Sequence, residues 1–313
     1  MKTKILIVGI GGVGGYFGGL LAKEYQQSNN IEIYFLSRRK NLDKIKSDGI
    51  KVLDNENEFN SFPKIISDNA KDFDFVDYVF ICTKTYHLNE IIQQIRPCIS
   101  ESTVLIPLQN GVNSRDILLK NFESNLITYG CVYLVSRLES PGKIVKKGQV
   151  GSLFFGIDNF NDKRLNHLQE VLLKAGIKSE LSKSISKVIW EKFTFLSSIA
   201  TATTYFNAKV HEILKDDLKL NSLNQLIQEV TALAHSKNIE IGENQSNRII
   251  DILKSLPIDA TTSLHSDYQN KREKTELESL TGYVISEGKL KNVKTELFEK
   301  MYNKIKTVPN TVY

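Results

Sequence analysis

Cysteine and histidine are scarce in this sequence of 313 residues, which contains three cysteines and five histidines. The cysteines show neither the spacing of a metal site nor a paired framework, and an odd, sparse set is typical of a reducing compartment. The histidines include no H-E-x-x-H motif and no i, i+4 pair, so we expect no metal ion. These residues are Cys82, Cys98 and Cys131, with His87, His167, His211, His235 and His265.

Long hydrophobic runs and an excess of one charge are also missing. The first apolar run spans only residues 5–8 before glycines follow, which is too short for a signal-peptide core, and no run reaches a membrane-spanning length. The formal net charge of +5 fits a small anionic ligand better than a nucleic-acid surface. We interpret Lys143, Lys146 and Lys147 as solvated, and we expect a cytoplasmic protein that binds neither nucleic acid nor membrane.

The glycines that follow this first run form the most informative motif. Gly9-Ile10-Gly11-Gly12-Val13-Gly14 lies between the predicted first strand and a helix predicted to end near Lys23. In this G-x-G-x-x-G pattern, Gly9 permits the turn, Gly11 lets a pyrophosphate approach the backbone, and Gly14 allows the helix to pack closely on the strand. Glycines also serve ordinary turns, but the strand-turn-helix context favours a dinucleotide site with the phosphate at the helix N-terminus.

A basic cluster follows the second predicted strand, Ile31–Leu36. The strand end reads Ser37-Arg38-Arg39-Lys40 and carries no acid. An acid at this position accepts hydrogen bonds from the ribose of NAD, whereas a basic residue accommodates the additional phosphate of NADP. A solvated charge cluster is the alternative, and the distance from the glycine turn favours Arg38 as an NADP contact.

Polar residues also follow two later predicted strands. Val76–Cys82 ends in Thr83-Lys84, and Thr103–Leu108 ends in Gln109-Asn110-Gly111, with a predicted helix at Leu88–Ile95 between them. Ligands of doubly wound sheets bind at the carboxyl ends of the strands, so Lys84 and Asn110 are candidate ligand contacts. Taken singly, Lys84 is better explained as an exposed loop lysine and Asn110-Gly111 as a simple turn pair.

The length of the chain and a change of pattern predict two domains. Residues 126–155 read as antiparallel strands that complete the sheet, followed by a helix at Arg164–Ala175 and a strand at Lys178–Leu181. After Ser182 only helical patterns remain. We therefore predict an α/β fold, with a Rossmann dinucleotide-binding domain at 1–182 and an all-α catalytic domain at 183–313; residues 302–313 have too little pattern to assign.

Two charged residues occupy apolar helix faces in the second half. On the helix that begins near Ser184, Lys192 projects at about 100° per residue into an arc of apolar side chains, while Glu191 and Thr194 point away. Loss of hydration there would lower the pKa of the lysine, which suits proton transfer; the alternative is a side chain that snorkels along the helix edge. The arc contains Ile185, Val188, Ile189, Leu196, Ile199 and Ala200.

The second charged residue is Glu276, in a predicted helix at residues 275–286. Glu276 shares a sector with Leu280 and Tyr283, whereas Glu278 faces the opposite way. Glu276 is thus the candidate inward carboxylate. The alternative is an acid stabilised by the helix N-terminus, with Thr275 as a cap.

Together these residues resemble the ketopantoate reductases (2-dehydropantoate 2-reductases) over nearly the full length. The resemblance rests on the glycine motif, Arg38, Thr83-Lys84, Asn110-Gly111, Trp190-Glu191-Lys192, Ser263-Leu264-x-x-Asp267 and Thr275-Glu276-Leu277-Glu278. It implies NADPH-dependent reduction of 2-dehydropantoate to pantoate, a precursor of coenzyme A.

The resemblance also implies a role for each candidate residue. Lys192 matches the general acid, Glu276 the acid that holds the substrate hydroxyl, and Ser263 the contact to the substrate carboxylate. Asn110 matches a residue that orients lysine and substrate and borders the cofactor. The implied cofactor contacts are Gly9, Gly11, Gly12, Val13, Gly14, Arg38, Lys84 and Asn110, with a homodimer as the assembly to test.

Two departures from the family pattern keep other functions open. Leu196 and Ala200 occupy positions where the family often has asparagine, and one extra residue separates Asp267 from Glu276. Loss of amide donors would weaken recognition of a hydroxylated substrate, although Ser197, Ser198 and Thr203 could compensate. The alternatives are an NADP-dependent reductase of another 2-keto acid, a related dehydrogenase that acts on a 3-hydroxy acid, and a non-catalytic NADP(H)-binding regulator.

Overall fold

The computed structural model describes residues 2–242 and 244–307 and divides into two compact units. The first unit ends at Ile185 and leaves out Asn110–Val112, which group with the second unit from Ser186 onward. The strands are β1 (Thr3–Val8), β2 (Ile31–Leu36), β3 (Ile50–Asp54), β4 (Asn57–Ser61), β5 (Ile65–Ser67), β6 (Val76–Ile81), β7 (Ile99–Pro107), β8 (Leu126–Ile127), β9 (Tyr129–Ser140), β10 (Lys143–Gly156) and β11 (Lys178–Leu181).

Twelve α-helices lie within the described residues. The first unit contains α1 (Gly12–Tyr25), α2 (Arg39–Asp48), α3 (Leu88–Ile95), α4 (Ser114–Leu119) and α5 (Lys163–Lys174). Next come α6 (Ile185–Phe206), α7 (Val210–Lys215), α8 (Asp217–Ser236), α9 (Gln245–Lys254), α10 (Ser263–Gln269), α11 (Tyr283–Lys291) and α12 (Glu296–Thr307).

Six strands form a fully parallel sheet in the order β5-β2-β1-β6-β7-β8. Counted within this sheet alone, that is the 3-2-1-4-5-6 order of a Rossmann domain, whose order reverses between β1 and β6. Alternate residues of β1 enter two different cores: Ile5 and Ile7 join the core shared with α1 and α5, whereas Leu6 and Val8 join the core shared with α3 and α4. Because both faces are covered, these strands read as nearly continuous apolar runs. The predicted Rossmann fold is confirmed.

The second half of this unit corrects one prediction. Only β8 of residues 126–155 joins the parallel sheet; β9 and β10 instead form an antiparallel hairpin in a second sheet. One edge of β10 pairs with β9, and the other pairs in parallel with β3 and then with β11. The hairpin therefore does not complete the first sheet, because the 14 residues of β10 recruit partners from two distant parts of the chain.

Lys146 corrects another prediction, since this lysine is not solvated. It lies on β10 with 6% of its surface exposed, and its Nζ donates to Asp54 Oδ1 at 2.7 Å. The hydroxyl of Tyr16 donates to the other carboxylate oxygen of Asp54 at 2.9 Å. This ion pair joins α1, β3 and β10, whereas Lys143 pairs with Glu139 at the surface.

The described part of the second unit contains no strand, as the sequence predicts. Its helix α6 is buried on more than one face: Thr194, predicted to point away from the core, is fully buried and donates to Trp190 O at 2.8 Å. The buried surface of α6 is therefore wider than the predicted apolar arc, because a helix surrounded by others buries most of its circumference. Of the unassigned residues 302–313, those up to 307 belong to α12, and 308–313 lie outside the described residues. Within the part described, no helix has both the length and the apolarity needed to cross a bilayer.

Candidate active site

The glycine turn between β1 and α1 has the geometry that the motif predicts. Gly9 has a φ of +90°, and a Cβ atom there would lie 2.6 Å from Thr83 Cγ2. At Gly14 a Cβ atom would lie 2.2 Å from Gly9 O, so only glycine allows this approach of helix and strand. A Cβ at Gly11 would meet no atom within 4 Å, because this residue faces open space at the N-terminus of α1. The first turn of α1 contains no acidic residue and no side-chain cap, which leaves its N–H groups available to an anion.

Asn41 supports this turn from α2, and the sequence analysis missed it. Its Nδ2 donates to Ile10 O at 3.0 Å, and its Oδ1 accepts from Gly142 N at 2.8 Å. The amide thus ties the glycine turn to the β9–β10 hairpin. The sequence marks Asn41 only by its position three residues after Arg38. A polar residue in the first turn of a helix is too common for this position to indicate a role.

A cavity of about 400 Å³ opens beside the glycine turn. Gly9 and Gly11 form part of its wall, together with Arg38 after β2 and Thr83 after β6, so it lies where the strand order reverses. Crevices at such switch points bind dinucleotides. The remaining lining residues are Val8, Ile10, Leu36, Ser37, Arg39, Asn41, His87, Ile91 and Gln94.

Arg38 extends from the end of β2 to α3. Its Nη1 lies 2.6 Å from Glu90 Oε1, and its Nη2 donates to Gln94 Oε1. His87 Nδ1 approaches the other oxygen of Glu90 at 3.3 Å. The hydrogen bond from Arg38 is the main reason why the pKa of Glu90 lies below its ordinary value. The predicted basic residue is therefore at the cavity, already paired with an acid that the sequence analysis did not identify.

The other predicted contacts of the first unit lie at the same edge of the sheet. Lys84 is exposed at the end of β6, next to Thr83 of the cavity wall. Gln109 follows β7, and its Nε2 lies 3.5 Å from both Thr83 Oγ1 and Lys84 O. Gly12, Val13 and Gly14 lie in α1 outside the cavity wall.

The second unit brings two predicted residues into direct contact. Lys192, half-buried on α6, donates from Nζ to Asn110 Oδ1 at 3.2 Å. Asn110 precedes Gly111, whose φ of +100° makes the turn after β7. On either side of Lys192 along the helix, the rings of Trp190 and Phe193 pack on Tyr283. This packing fixes the part of α6 that presents the ammonium group beside an amide oxygen.

The same helix holds the segment that carries Ser263. Thr203 Oγ1 of α6 lies 2.9 Å from Thr262 Oγ1, and Thr262 caps α10 by accepting from His265 N. Ser263 is the first residue of α10 and is exposed. His265 is buried, with Nδ1 2.6 Å from Thr261 Oγ1 and Nε2 2.8 Å from Asn207 Oδ1. Residues flanking Ser263 are thereby fixed to α6 and to Asn207, the residue that follows it.

The predicted contrast between the two acids is confirmed by their burial. Glu276 is 3% exposed, whereas the side chain of Glu278 is 66% exposed and pairs with Lys306 at 3.1 Å. The backbone differs from the predicted α-helix: Leu277 begins the helical segment, and Glu278–Gly282 form a π-helical turn before α11. Thr275 Oγ1 accepts from Leu277 N at 3.4 Å, in the capping position that the sequence predicts. Such π-turns often occur at functional sites.

Comparison with known proteins assigns the family. Residues 5–159 match the family described as ketopantoate reductase PanE/ApbA, and residues 184–308 match its C-terminal region. The chain belongs to the ketopantoate reductase family. Proteins of this family are NAD(P)-dependent reductases, and this chain is accordingly an oxidoreductase that acts on a CH–OH group.

Individual relatives match nearly the whole chain at low identity. An uncharacterized oxidoreductase of Bacillus subtilis, YkpB, is 27% identical over 302 residues and 96% of each chain. The crystal structure of 2-dehydropantoate 2-reductase from Porphyromonas gingivalis is 27% identical, with a TM-score of 0.86 over 98% of this chain and 100% of that one. D-mandelate dehydrogenase, in a ternary structure with NADH and anilino(oxo)acetate, shares the fold at 22% identity and a TM-score of 0.82, with 97% of each chain covered.

Proposed function

We propose that this protein reduces 2-dehydropantoate to pantoate with NADPH, a step in the biosynthesis of pantothenate. The contact between Lys192 Nζ and Asn110 Oδ1 carries the proposal. A general acid must be held in one orientation within reach of the oxygen that it protonates, and the amide oxygen provides such an anchor. Family membership supports the reaction class.

Lys192 is the proposed proton donor. When bound, a nicotinamide dinucleotide would supply the hydride that the carbonyl carbon of the 2-keto acid accepts. The carbonyl oxygen takes a proton from Lys192 Nζ, and solvent later restores that proton, so the product is the 2-hydroxy acid. Asn110 keeps the ammonium group directed, Glu276 holds the substrate hydroxyl, and Ser263 contacts the substrate carboxylate.

The residues of the first unit fit a dinucleotide. The open space at Gly11 and the free N–H groups of the first turn of α1 suit a pyrophosphate, and we assign it to Gly9, Gly11, Gly12, Val13 and Gly14. Arg38 at the end of β2 suits a ribose 2′-phosphate. Lys84 is the remaining proposed cofactor contact of this unit, and Asn110, which groups with the second unit, is proposed as a further one.

The test is the loss of NADPH absorbance on mixing the purified protein with 2-dehydropantoate, with NADH in a parallel reaction. Turnover that is much faster with NADPH supports both the substrate and the Arg38 assignment. Binding of NADPH without turnover of any 2-keto acid would refute the reductase proposal and favour a non-catalytic NADP(H)-binding regulator.

The expected cytoplasmic location and the expected homodimer stay predictions. Sedimentation of the purified protein tests the homodimer.

A second candidate substrate is a 2-keto acid with an apolar tail. Leu196 lies one helical turn after Lys192 and is half-buried, and Ala200 is 1% exposed. Two of the three hydroxyl groups that could have replaced the missing amides are engaged elsewhere: Ser197 donates to Phe193 O at 2.6 Å, and Thr203 bonds with Ile199 O and Thr262. Ser198 is fully buried, and its hydroxyl has no hydrogen-bond partner within the described residues. At most Ser198 is left to compensate for two missing amides, and this shortage of donors favours a substrate without a hydroxylated tail.

A matched pair of substrates separates the two candidates. The compound 3,3-dimethyl-2-oxobutanoate lacks only the terminal hydroxyl of 2-dehydropantoate, so the ratio of their kcat/KM values measures recognition of that group. A site that binds the hydroxyl rejects the analogue by about 100-fold or more, because its polar partners are left unpaired. Equal or faster turnover of the analogue would favour the apolar substrate class.

A further inference from the structure

Arg38, in the wall of the cavity beside the glycine turn, is paired with an acid, which is unexpected for a phosphate site. Arg38 places its guanidinium against α3, where Glu90 and Gln94 lie four residues apart on one helix face. Gln94 in turn donates from Nε2 to Asp68 O at 2.7 Å, which anchors this side of the contact to the loop after β5. The Arg38 guanidinium is thus held by a carboxylate and by a fixed amide.

A ribose 2′-phosphate needs the same guanidinium. Arginine binds phosphate and carboxylate through the same planar set of donors, so a phosphate at Arg38 must share or replace Glu90. The carboxylate also repels a phosphate group brought close to it. A ribose with a free 2′-hydroxyl lacks that charge and meets no such opposition.

Arg39 supplies a second guanidinium at the same cavity. Its φ of +56° is in the left-handed region, its side chain is exposed, and it lines the cavity. Within residues 2–242 and 244–307, no hydrogen bond or ion pair involves the Arg39 side chain. Arg38 is therefore already paired with Glu90, whereas the guanidinium of Arg39 is available to bind an anion.

We propose that Glu90 is a specificity-determining residue, which competes with the ribose 2′-phosphate for Arg38 and so lowers the preference of the site for NADPH over NADH. The inference rests on the proposed function for the identity of the cofactor. It assigns to α3 an influence on the ribose end of the cofactor that is usually attributed to the end of β2 alone.

The test compares two ligands that differ only in the 2′-phosphate, namely 2′,5′-ADP and 5′-AMP, by calorimetry on the full chain. Glu90→Gln should tighten 2′,5′-ADP by about 3- to 10-fold, as expected for removal of one partly screened charge, and change 5′-AMP by less than about 2-fold. The gain should shrink at high salt. The control is Glu101→Gln, which removes the same charge from an exposed residue near the amino end of β7, at the opposite edge of the sheet.

The double variant Arg38→Ala/Glu90→Gln shows whether Glu90 acts through Arg38, because its affinity for 2′,5′-ADP should then equal that of Arg38→Ala alone. Weaker binding of 2′,5′-ADP by Glu90→Gln would mean that Glu90 positions Arg38 for phosphate, and would overturn the proposal. The proposal would also be overturned if Glu90→Gln left the ratio of the dissociation constants for 2′,5′-ADP and 5′-AMP unchanged. If the unmodified chain binds neither 2′,5′-ADP nor NADPH, the proposed cofactor itself is wrong. Failure of the proposed function is thus distinguished from failure of the Glu90 proposal alone.

Discussion

At the scale of single residues, Lys192 is the side chain on which the proposed chemistry depends. Its Nζ is held by Asn110 Oδ1 on a half-buried part of α6. Lys192→Ala should lower kcat by about 100-fold or more, as expected for loss of a general acid, while the dissociation constant for NADPH changes little. Lys187→Ala, an exposed lysine on the same helix, is the control. Near-normal turnover of Lys192→Ala would remove this residue from the mechanism.

His265 should make the stability of the second unit depend on pH. Burial lowers its pKa below the ordinary value of 6.5, and Glu212 offsets this only in part. Because the unfolded chain then binds the proton more readily than the folded one, stability is fully present above pH 6.5 and falls as the pH drops towards the folded pKa. The loss should be at most about 1.4 kcal/mol per pH unit.

Urea unfolding followed by tryptophan fluorescence measures this effect. Trp190 is the one tryptophan of the chain and is buried on α6 between aromatic neighbours. His265→Gln cannot be protonated in this range, so its free energy of unfolding should fall less between pH 7.5 and 5.5 than that of the unmodified chain. Parallel pH dependence in the two proteins would contradict the prediction.

At the scale of elements, one buried hydrogen bond joins α6 to the π-helical turn that follows Glu276. Thr201 Oγ1 and Thr281 Oγ1 lie 2.7 Å apart, and both residues are fully buried. Thr201→Val should destabilise the fold by about 1–3 kcal/mol, because Thr281 is left with an unsatisfied buried hydroxyl. Replacing both by valine should cost less than the sum of the single changes. Additive effects in unfolding followed by Trp190 fluorescence would show that the bond contributes nothing of its own.

The sequence predicted those elements whose patterns are local. Ile31–Leu36 and Leu88–Ile95 match the observed bounds of β2 and α3, because alternation and helical spacing are visible within a few residues. The second sheet could not be predicted in this way, since the partners of β10 at β3 and β11 are remote in sequence. The π-turn was missed for a related reason: a projection at a constant angle assumes regular α-helix, and one turn at Glu278–Gly282 changes the angle.

In the candidate site too, contacts between residues that are remote in sequence could not be predicted. Sequence reasoning identified Lys192 and Asn110 separately, and the structure adds their contact. Arg38 was identified from its place after β2, whereas Glu90 was not, because nothing local distinguishes an exposed acid on α3 from any other. Its importance appears only when two strand-helix units bring the side chains together.

At the scale of the whole molecule, the division of the chain predicts a separable cofactor-binding domain. All residues that line the cavity fall between Val8 and Gln94, and β11, which completes the second sheet, ends at Leu181. We propose the domain boundary at 182/183, between the two family matches that end at 159 and begin at 184. A fragment of residues 1–182 should fold and bind 2′,5′-ADP within about 3-fold of the full chain, since domains with their own core generally fold alone.

A shorter fragment provides the contrast. Residues 1–159 lack α5 and β11, and so lose Leu165, Leu168 and Val171 from the core that covers one face of the parallel sheet. Several missing core side chains, each contributing about 1.5–3 kcal/mol by burial, exceed much of the stability of an ordinary domain. This fragment should therefore show neither cooperative unfolding by circular dichroism nor ligand binding. If residues 1–182 also failed to bind while the full chain did, the cofactor domain would require the helical unit, and the boundary would have to be abandoned.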